Sequence, residues 1–200
     1  TENKAVTTNA LADHLGTRAA SVTDMLKKLQ QKKIISYEKY KGVNLTKEGE
    51  RIAKTVVRKH RLWEVFLVDK LGYSWDKIHD IAEQLEHIHS DELIDKLDKF
   101  LGHPQFDPHG DPIPDSQGNI KAIRQVLLAN CGKGTKGIVV GVKDSSSKFL
   151  QYLDTVNIHL GTEIEVQDVV EFDGTLNILL DKKRKATISK IAAQNIYIGK

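Results

Sequence analysis

The four prolines of this 200-residue chain all fall between residues 104 and 114, in Gly102-His103-Pro104-Gln105-Phe106-Asp107-Pro108-His109-Gly110-Asp111-Pro112-Ile113-Pro114. A proline ring fixes φ and removes a backbone donor, so neither a helix interior nor a central strand continues through such a run. Ser116-Gln117-Gly118 follows, and residues 104–119 are expected to link two domains. The texture differs on the two sides. Before the run, apolar residues recur at helical spacing. After it come short alternating stretches, 137–142, 163–166, 176–180 and 185–188, with a turn signal at Asp173-Gly174 and a helical piece over 148–154. The expected fold class is therefore mainly α with a small β domain of SH3-like barrel size over 120–200.

Charge is distributed as unevenly as proline. Residues 1–60 hold 13 Lys and Arg against 6 Asp and Glu, residues 61–119 hold 5 against 13, and residues 120–200 hold 12 against 8. A basic first third before an acidic middle points to a polyanion-binding module joined to a cation-binding one. The single cysteine, Cys131, excludes an internal disulfide framework and fits a reducing cytoplasm. No apolar run approaches a membrane span, and no secretory pattern opens the chain at Thr1, so a cytoplasmic protein without a membrane partner is expected.

The basic part reads as a helix-turn-helix. Residues 7–15 form a short helix capped by Thr7 or Thr8, with Ala10, Leu11 and Leu15 inward and Gly16 at its end. A second helix runs from Thr17 or Arg18 to Lys32 on an apolar face of Val22, Met25, Leu26 and Leu29. Its other face offers Arg18, Ala20, Ser21, Thr23, Lys27 and Lys28. Short hydroxyls suit base edges or phosphates, Ala19 and Ala20 suit a thymine methyl, and the lysines suit phosphates. The plain alternative is an ordinary helical hairpin. Two β-type runs, 34–39 and 43–46, then flank Tyr40-Lys41-Gly42 and read as a wing, with Lys39 and Lys41 at its tip. A long helix follows over about 47–71, entered through Leu45-Thr46-x-x-Gly49.

The acidic part carries a stripe. In Ile78–Ile88, the apolar Ile78, Ile81, Ala82, Leu85 and Ile88 share one helix face. His79, Glu83, Glu86 and His87 sit at i, i+4, i+7 and i+8, within an arc of roughly 100°. Upstream, His60 and Glu64 form a second pair at i, i+4. Imidazole nitrogens and carboxylate oxygens converging from helix faces suit a divalent transition metal, and the plainer alternative is a solvated His/Glu face. Ser74 is expected to cap the stripe helix. Ser90 is expected to cap another over 92–101, and the surplus apolar surface of these two short helices suits either internal packing or a homodimer. His14, His89, His103, His109 and His159 read as surface or core histidines.

The run Arg58-Lys59-His60-Arg61-Leu62-Trp63-Glu64, with Lys77-Ile78-His79-Asp80 and Leu85-Glu86-His87, resembles the diphtheria toxin repressor family, iron- and manganese-dependent transcriptional repressors that include the manganese transport regulators. The resemblance covers nearly the whole chain. It implies a winged-helix DNA-binding domain over 1–58, a helical dimerisation and metal-binding domain over 59–103, the linker over 104–119, and a mobile SH3-like domain of FeoA type over 120–200. By position, His60, Glu64 and His79 match an ancillary metal site, and Glu83, Glu86 and His87 match a primary one. The family's first helix, which supplies a further primary ligand, is expected to precede Thr1. Asp107 stands where some relatives place a cysteine ligand, and Asp144 is a looser candidate from the barrel. Glu83 in place of the iron branch's cysteine makes the donor set hard and favours Mn(II) over softer ions, with Fe(II) feasible.

The resulting expectation is a homodimeric repressor that binds a palindromic double-stranded DNA operator and controls metal-uptake genes. It holds Mn(II) or Fe(II) at two sites per subunit, is not an enzyme and has no small-molecule substrate. The alternatives are a winged-helix regulator answering to a non-metal effector, and a metallohydrolase, against which no His-Glu-x-x-His motif is present.

Overall fold

A computed structural model describes residues 6–38, 42–121 and 124–199, and the wing-tip lysines expected at Lys39 and Lys41 lie outside the described residues. The chain divides into two compact units, Thr1–Val56 and Val57–Lys200.

In the first unit, Thr7 caps α1 (Thr8–His14) by accepting from the Ala10 amide at 3.2 Å. Gly16 turns the chain at φ +58°, a conformation that only glycine adopts without cost. Helix α2 (Ala19–Gln31) follows, then the antiparallel hairpin β1 (Ile35–Glu38) and β2 (Gly42–Leu45) with Ile35 opposite Leu45. Ala12, Val22, Leu26 and Ile35 form its buried core. Thr46 joins the hairpin to the long helix α3 (Lys47–Asp69), its hydroxyl accepting from the Gly49 amide at 3.0 Å. This is a helix-turn-helix with a wing.

The second unit holds two cores. The C-terminal part of α3 packs with α4 (His79–Glu86) and α5 (Asp91–Phe100) around Leu62, Trp63, Val65, Ile78, Ala82, Ile94 and Leu97. The buried Arg58 guanidinium ties α5 to α3 by reaching Asp98 at 2.9 Å. Ser90 caps α5 as its position predicts, accepting from the Leu93 amide. Ser74 does not cap α4: Ile78 holds that position without a side-chain bond, and the Ser74 hydroxyl donates to the Asp76 carboxylate instead.

The C-terminal part is a six-stranded antiparallel sheet of SH3-like type. Its strands are β3 (Val126–Leu127), β4 (Lys136–Val142), β5 (Glu163–Val169), β6 (Leu176–Leu180), β7 (Arg184–Ile188) and β8 (Ile196–Gly199), in the order β3-β8-β4-β5-β6-β7. Helix α6 (Ser147–Thr155) adds Leu150 and Leu153 to the core, and a four-residue helix, α7 (Lys190–Ala193), precedes β8. Each fully buried leucine contributes roughly 2–3 kcal/mol.

The proline-rich segment packs between these parts. Phe106 and Pro112 bridge antiparallel, and Arg61 donates to the Pro112 carbonyl. The register between β4 and β8 shifts between Val139 and Gly141, leaving Val140 as the bulged residue. Gly110 lies against that bulge. A Cβ at Gly110 would stand 2.1 Å from the Val140 carbonyl oxygen and 2.4 Å from Gly141 Cα.

Candidate metal centre

Helix α3 presents His60 and Glu64 one turn apart, facing α4 on one side and the segment 107–109 on the other. The Glu64 side chain is 3% exposed, which takes a carboxylate out of water. One oxygen, Oε1, lies 3.0 Å from His60 Nε2 and 3.7 Å from His79 Nδ1. The other, Oε2, lies 3.7 Å from His109 Nδ1. Two three-residue clusters thus share Glu64: His60, Glu64 and His79, and Glu64, Asp107 and His109, each with ligand atoms within 4.8 Å of one another.

His60 sits between two carboxylates, with Nδ1 2.7 Å from Glu86 Oε2 and Nε2 3.0 Å from Glu64. Ionised carboxylates only accept, so both ring nitrogens must donate and the ring is an imidazolium in this arrangement. Burial works against that charge, but Glu64 and Glu86 outweigh it and raise the His60 pKa above its ordinary value. Burial likewise opposes a charged Glu64, and the nearby His109 and His60 rings overcome it, bringing the carboxyl down to about 2. Burial, then the Glu64 and Asp111 charges, push Asp107 up to about 6. His109 is raised as well, Glu64 prevailing over burial. The cluster therefore stores surplus negative charge out of water, offset by protons on imidazoles. Hard oxygen and nitrogen donors that collect protons in this way fit a divalent cation, and deprotonated ligands are what it requires.

The 107–109 segment is built as an Asx turn. Asp107 Oδ1 accepts from the amides of His109 at 2.8 Å and Asp111 at 3.0 Å, which leaves Oδ2 for the cluster and for Arg61. The structure thus brings together His60, Glu64, His79, Glu86, Asp107 and His109. Glu83 and His87 are exposed, and neither joins a cluster among the described residues. Asp144 accepts from the Ser146 amide at 2.8 Å in the turn before α6, outside both clusters. His109, expected as a surface or core histidine, is buried and joins the second cluster, and its one local signal is the Asp-Pro-His-Gly turn.

Arg18 at the start of α2, and Ala20, Ser21, Lys27 and Lys28 on it, are exposed. Thr23 is half-buried and donates its hydroxyl to the Ala19 carbonyl at 2.8 Å, so its oxygen keeps only acceptor capacity. Lys27 pairs with Asp24 at 3.5 Å across one turn. No helix among the described residues is long and apolar enough to cross a membrane.

Comparison with known proteins covers all three parts. Residues 1–43 match the family model described as "Iron dependent repressor, N-terminal DNA binding domain". Residues 46–115 match "Iron dependent repressor, metal binding and dimerisation domain", and residues 126–200 match "FeoA domain". The diphtheria toxin repressor of Corynebacterium diphtheriae is 28% identical over 193 residues, covering 91% of this chain and 84% of that protein. Its counterpart in Corynebacterium jeikeium is 34% identical over 104 residues, and the match spans 43% of that protein. A solved structure described as a manganese-dependent transcriptional repressor in complex with manganese superposes with a TM-score of 0.87 at 36% identity, covering 99% of this chain and 92% of that one. These proteins are DNA-binding repressors and not enzymes, which removes the metallohydrolase alternative. The chain belongs to the diphtheria toxin repressor family of metal-dependent transcriptional repressors.

Proposed function

We propose that this chain is a Mn(II)- or Fe(II)-responsive repressor that binds a palindromic operator as a homodimer and controls metal-uptake genes. The observation that carries the reading is the Glu64 carboxylate, buried between two His/carboxylate clusters with no sulfur donor. His60, Glu64 and His79, with Glu86 behind His60, would hold one cation, and Glu64, Asp107 and His109 a second. The family resemblance instead groups Glu83, Glu86 and His87 into a primary site of their own, apart from the ancillary set of His60, Glu64 and His79. A cation there would supply positive charge to offset the carboxylates that α3, α4 and the 107–109 segment bring together. The residues themselves do the rest: Glu64 presents an oxygen to each cluster, and His60 gives up one ring proton while the other nitrogen keeps its own. All-oxygen-and-nitrogen donors favour Mn(II), with Fe(II) feasible.

Leu93 and Phe100 lie seven residues apart on α5, 38% and 64% exposed, on one face available to a second copy. Arg18, Ala20, Ser21, Thr23, Lys27 and Lys28 would face DNA from α2, with Lys39 and Lys41 reaching the backbone from the wing.

The test is fluorescence anisotropy on a labelled palindromic operator, with Mn(II), Fe(II) or chelator, for wild type, Glu64→Gln and Glu83→Ala. Retention that needs metal and is lost in Glu64→Gln supports the reading. Equal binding in chelator overturns it and leaves a winged-helix regulator with another effector.

A further inference from the structure

His109 reaches the cluster from a loop, and that loop is gripped from the barrel side. Its Nε2 lies 3.0 Å from the Trp75 carbonyl oxygen. A carbonyl only accepts, so Nε2 carries the proton. In the neutral ring Nδ1, which faces Glu64, then holds the lone pair. The Trp75 indole stacks on His109 with centroids 6.1 Å apart and planes at 20°. The same indole packs against the barrel core and donates Nε1 to Asp154 Oδ1 on α6 at 2.9 Å. The next residue is held by the same helix: Ser147 donates to the Asp76 carbonyl at 2.8 Å, and Gln151 to Asp76 Oδ2 at 2.7 Å. From the other side, the Val142 amide donates to the His109 carbonyl at 2.9 Å.

We infer that Trp75 is a positioning residue for the Glu64–Asp107–His109 cluster, through which α6 fixes the tautomer and aim of His109. This rests on that cluster being a cation site. An imidazole held at its far nitrogen offers one lone pair in one direction. Released, it populates the other tautomer and turns, and outer partners of metal-binding histidines matter by about 10- to 100-fold in affinity. The coupling runs both ways, because whatever binds Nδ1 also steadies the Trp75–Asp154 hold on the barrel. Helix α6 therefore contributes to the site through Trp75, with none of its own atoms in the cluster among the described residues.

The test uses the full chain titrated with Mn(II), free Mn(II) being read by electron paramagnetic resonance. Asp154→Ala removes the indole's acceptor, and Asp154→Asn keeps an acceptor oxygen. Asp154→Ala is expected to weaken one Mn(II) per subunit by about tenfold, with Asp154→Asn close to wild type. If Asp154→Ala fails to fold, Trp75→Phe, which lacks the indole donor, takes its place. The chain has two tryptophans, so Trp63→Phe leaves Trp75 as the sole tryptophan emitter. Mn(II) is expected to change that emission, and not to do so once Glu64→Gln is added. Undiminished affinity in Asp154→Ala, or in Trp75→Phe, overturns the positioning role while leaving the cation site intact. Failure of wild type to bind Mn(II) overturns the proposed function itself.

Discussion

Arg61 Nε lies 3.3 Å from Asp107 Oδ2, and the same guanidinium reaches Asp111 at 3.1 Å and the Pro112 carbonyl. One side chain of α3 therefore holds the turn that carries Asp107 and His109. It does not settle the charge, because burial and the carboxylates of Glu64 and Asp111 still push Asp107 up to about 6.

Asp107→Asn should stabilise the metal-free protein and weaken its response to metal. A folded-state pKa of about 6 against an ordinary 3.8 means that ionised Asp107 disfavours the fold. That penalty is absent below the ordinary value and complete above the raised one, on the order of 3 kcal/mol at most. Asparagine keeps the oxygen that accepts the two backbone amides. Thermal unfolding at pH 7.5 in chelator should show a higher Tm than wild type, and added Mn(II) a smaller rise. A lower Tm in chelator would contradict the burial argument.

The pH dependence should reverse when metal is added. His60 and His109 are raised in the fold, so the stability they contribute is full below an ordinary imidazole pKa and lost as pH rises through the raised values. Glu64, lowered to about 2, contributes above the ordinary 4.5 and loses that contribution as pH falls towards 2. Metal-free protein should therefore lose stability from this cluster between pH 5.5 and 8. Mn(II) competes with the imidazole protons, so its affinity should climb with pH, up to about tenfold per unit for each proton displaced. Unfolding curves at both pH values, with chelator and with Mn(II), check the two signs. A Mn(II)-induced Tm shift that ignores pH would be inconsistent with displaced protons.

Phe100→Glu should give a monomer. The ring is 64% exposed, with Phe66 beside it at 6.5 Å and Lys70 Nζ 5.6 Å over its face. A carboxylate there keeps the α5 fold but charges the face offered to a second copy. Light scattering after size exclusion should show the halved mass, and operator affinity in Mn(II) should fall at least tenfold.

Gly110→Ala should loosen the barrel from the helical core. Gly110 has φ +88°, and the Val140 carbonyl blocks its Cβ position. Backbone strain and the clash together cost about 2–4 kcal/mol. Hydrogen exchange at the Val142 amide, which bonds the His109 carbonyl, should speed up while amides within β5 and β6 keep their protection.

Local signals marked the elements whose ends carry their own chemistry. Thr7, Thr46 and Ser90 cap the helices that they precede; the pair His60/Glu64 and the stripe His79, Glu83, Glu86 and His87 were legible from spacing alone, though Glu83 and His87 stay exposed. Strand β8 was not legible, because Ile196–Gly199 gains its meaning from β3 and β4, distant in sequence. Ser74 misled because its hydroxyl has a nearer acceptor in Asp76. The placement of His109 was not legible for the same kind of reason. A lone histidine among prolines has no helical partner, and only the approach of α3 puts Glu64 beside it.

Helix α4 has eight residues and no side-chain cap at its start, too few to hold helical form in water unaided. His79 is its first residue and Glu86 its last, and both point back to α3, at Glu64 and His60. A segment fastened at both ends over its whole length has little room to fray. Glu64 and His60 therefore decide together whether a helix too short to stand alone keeps both of its ends.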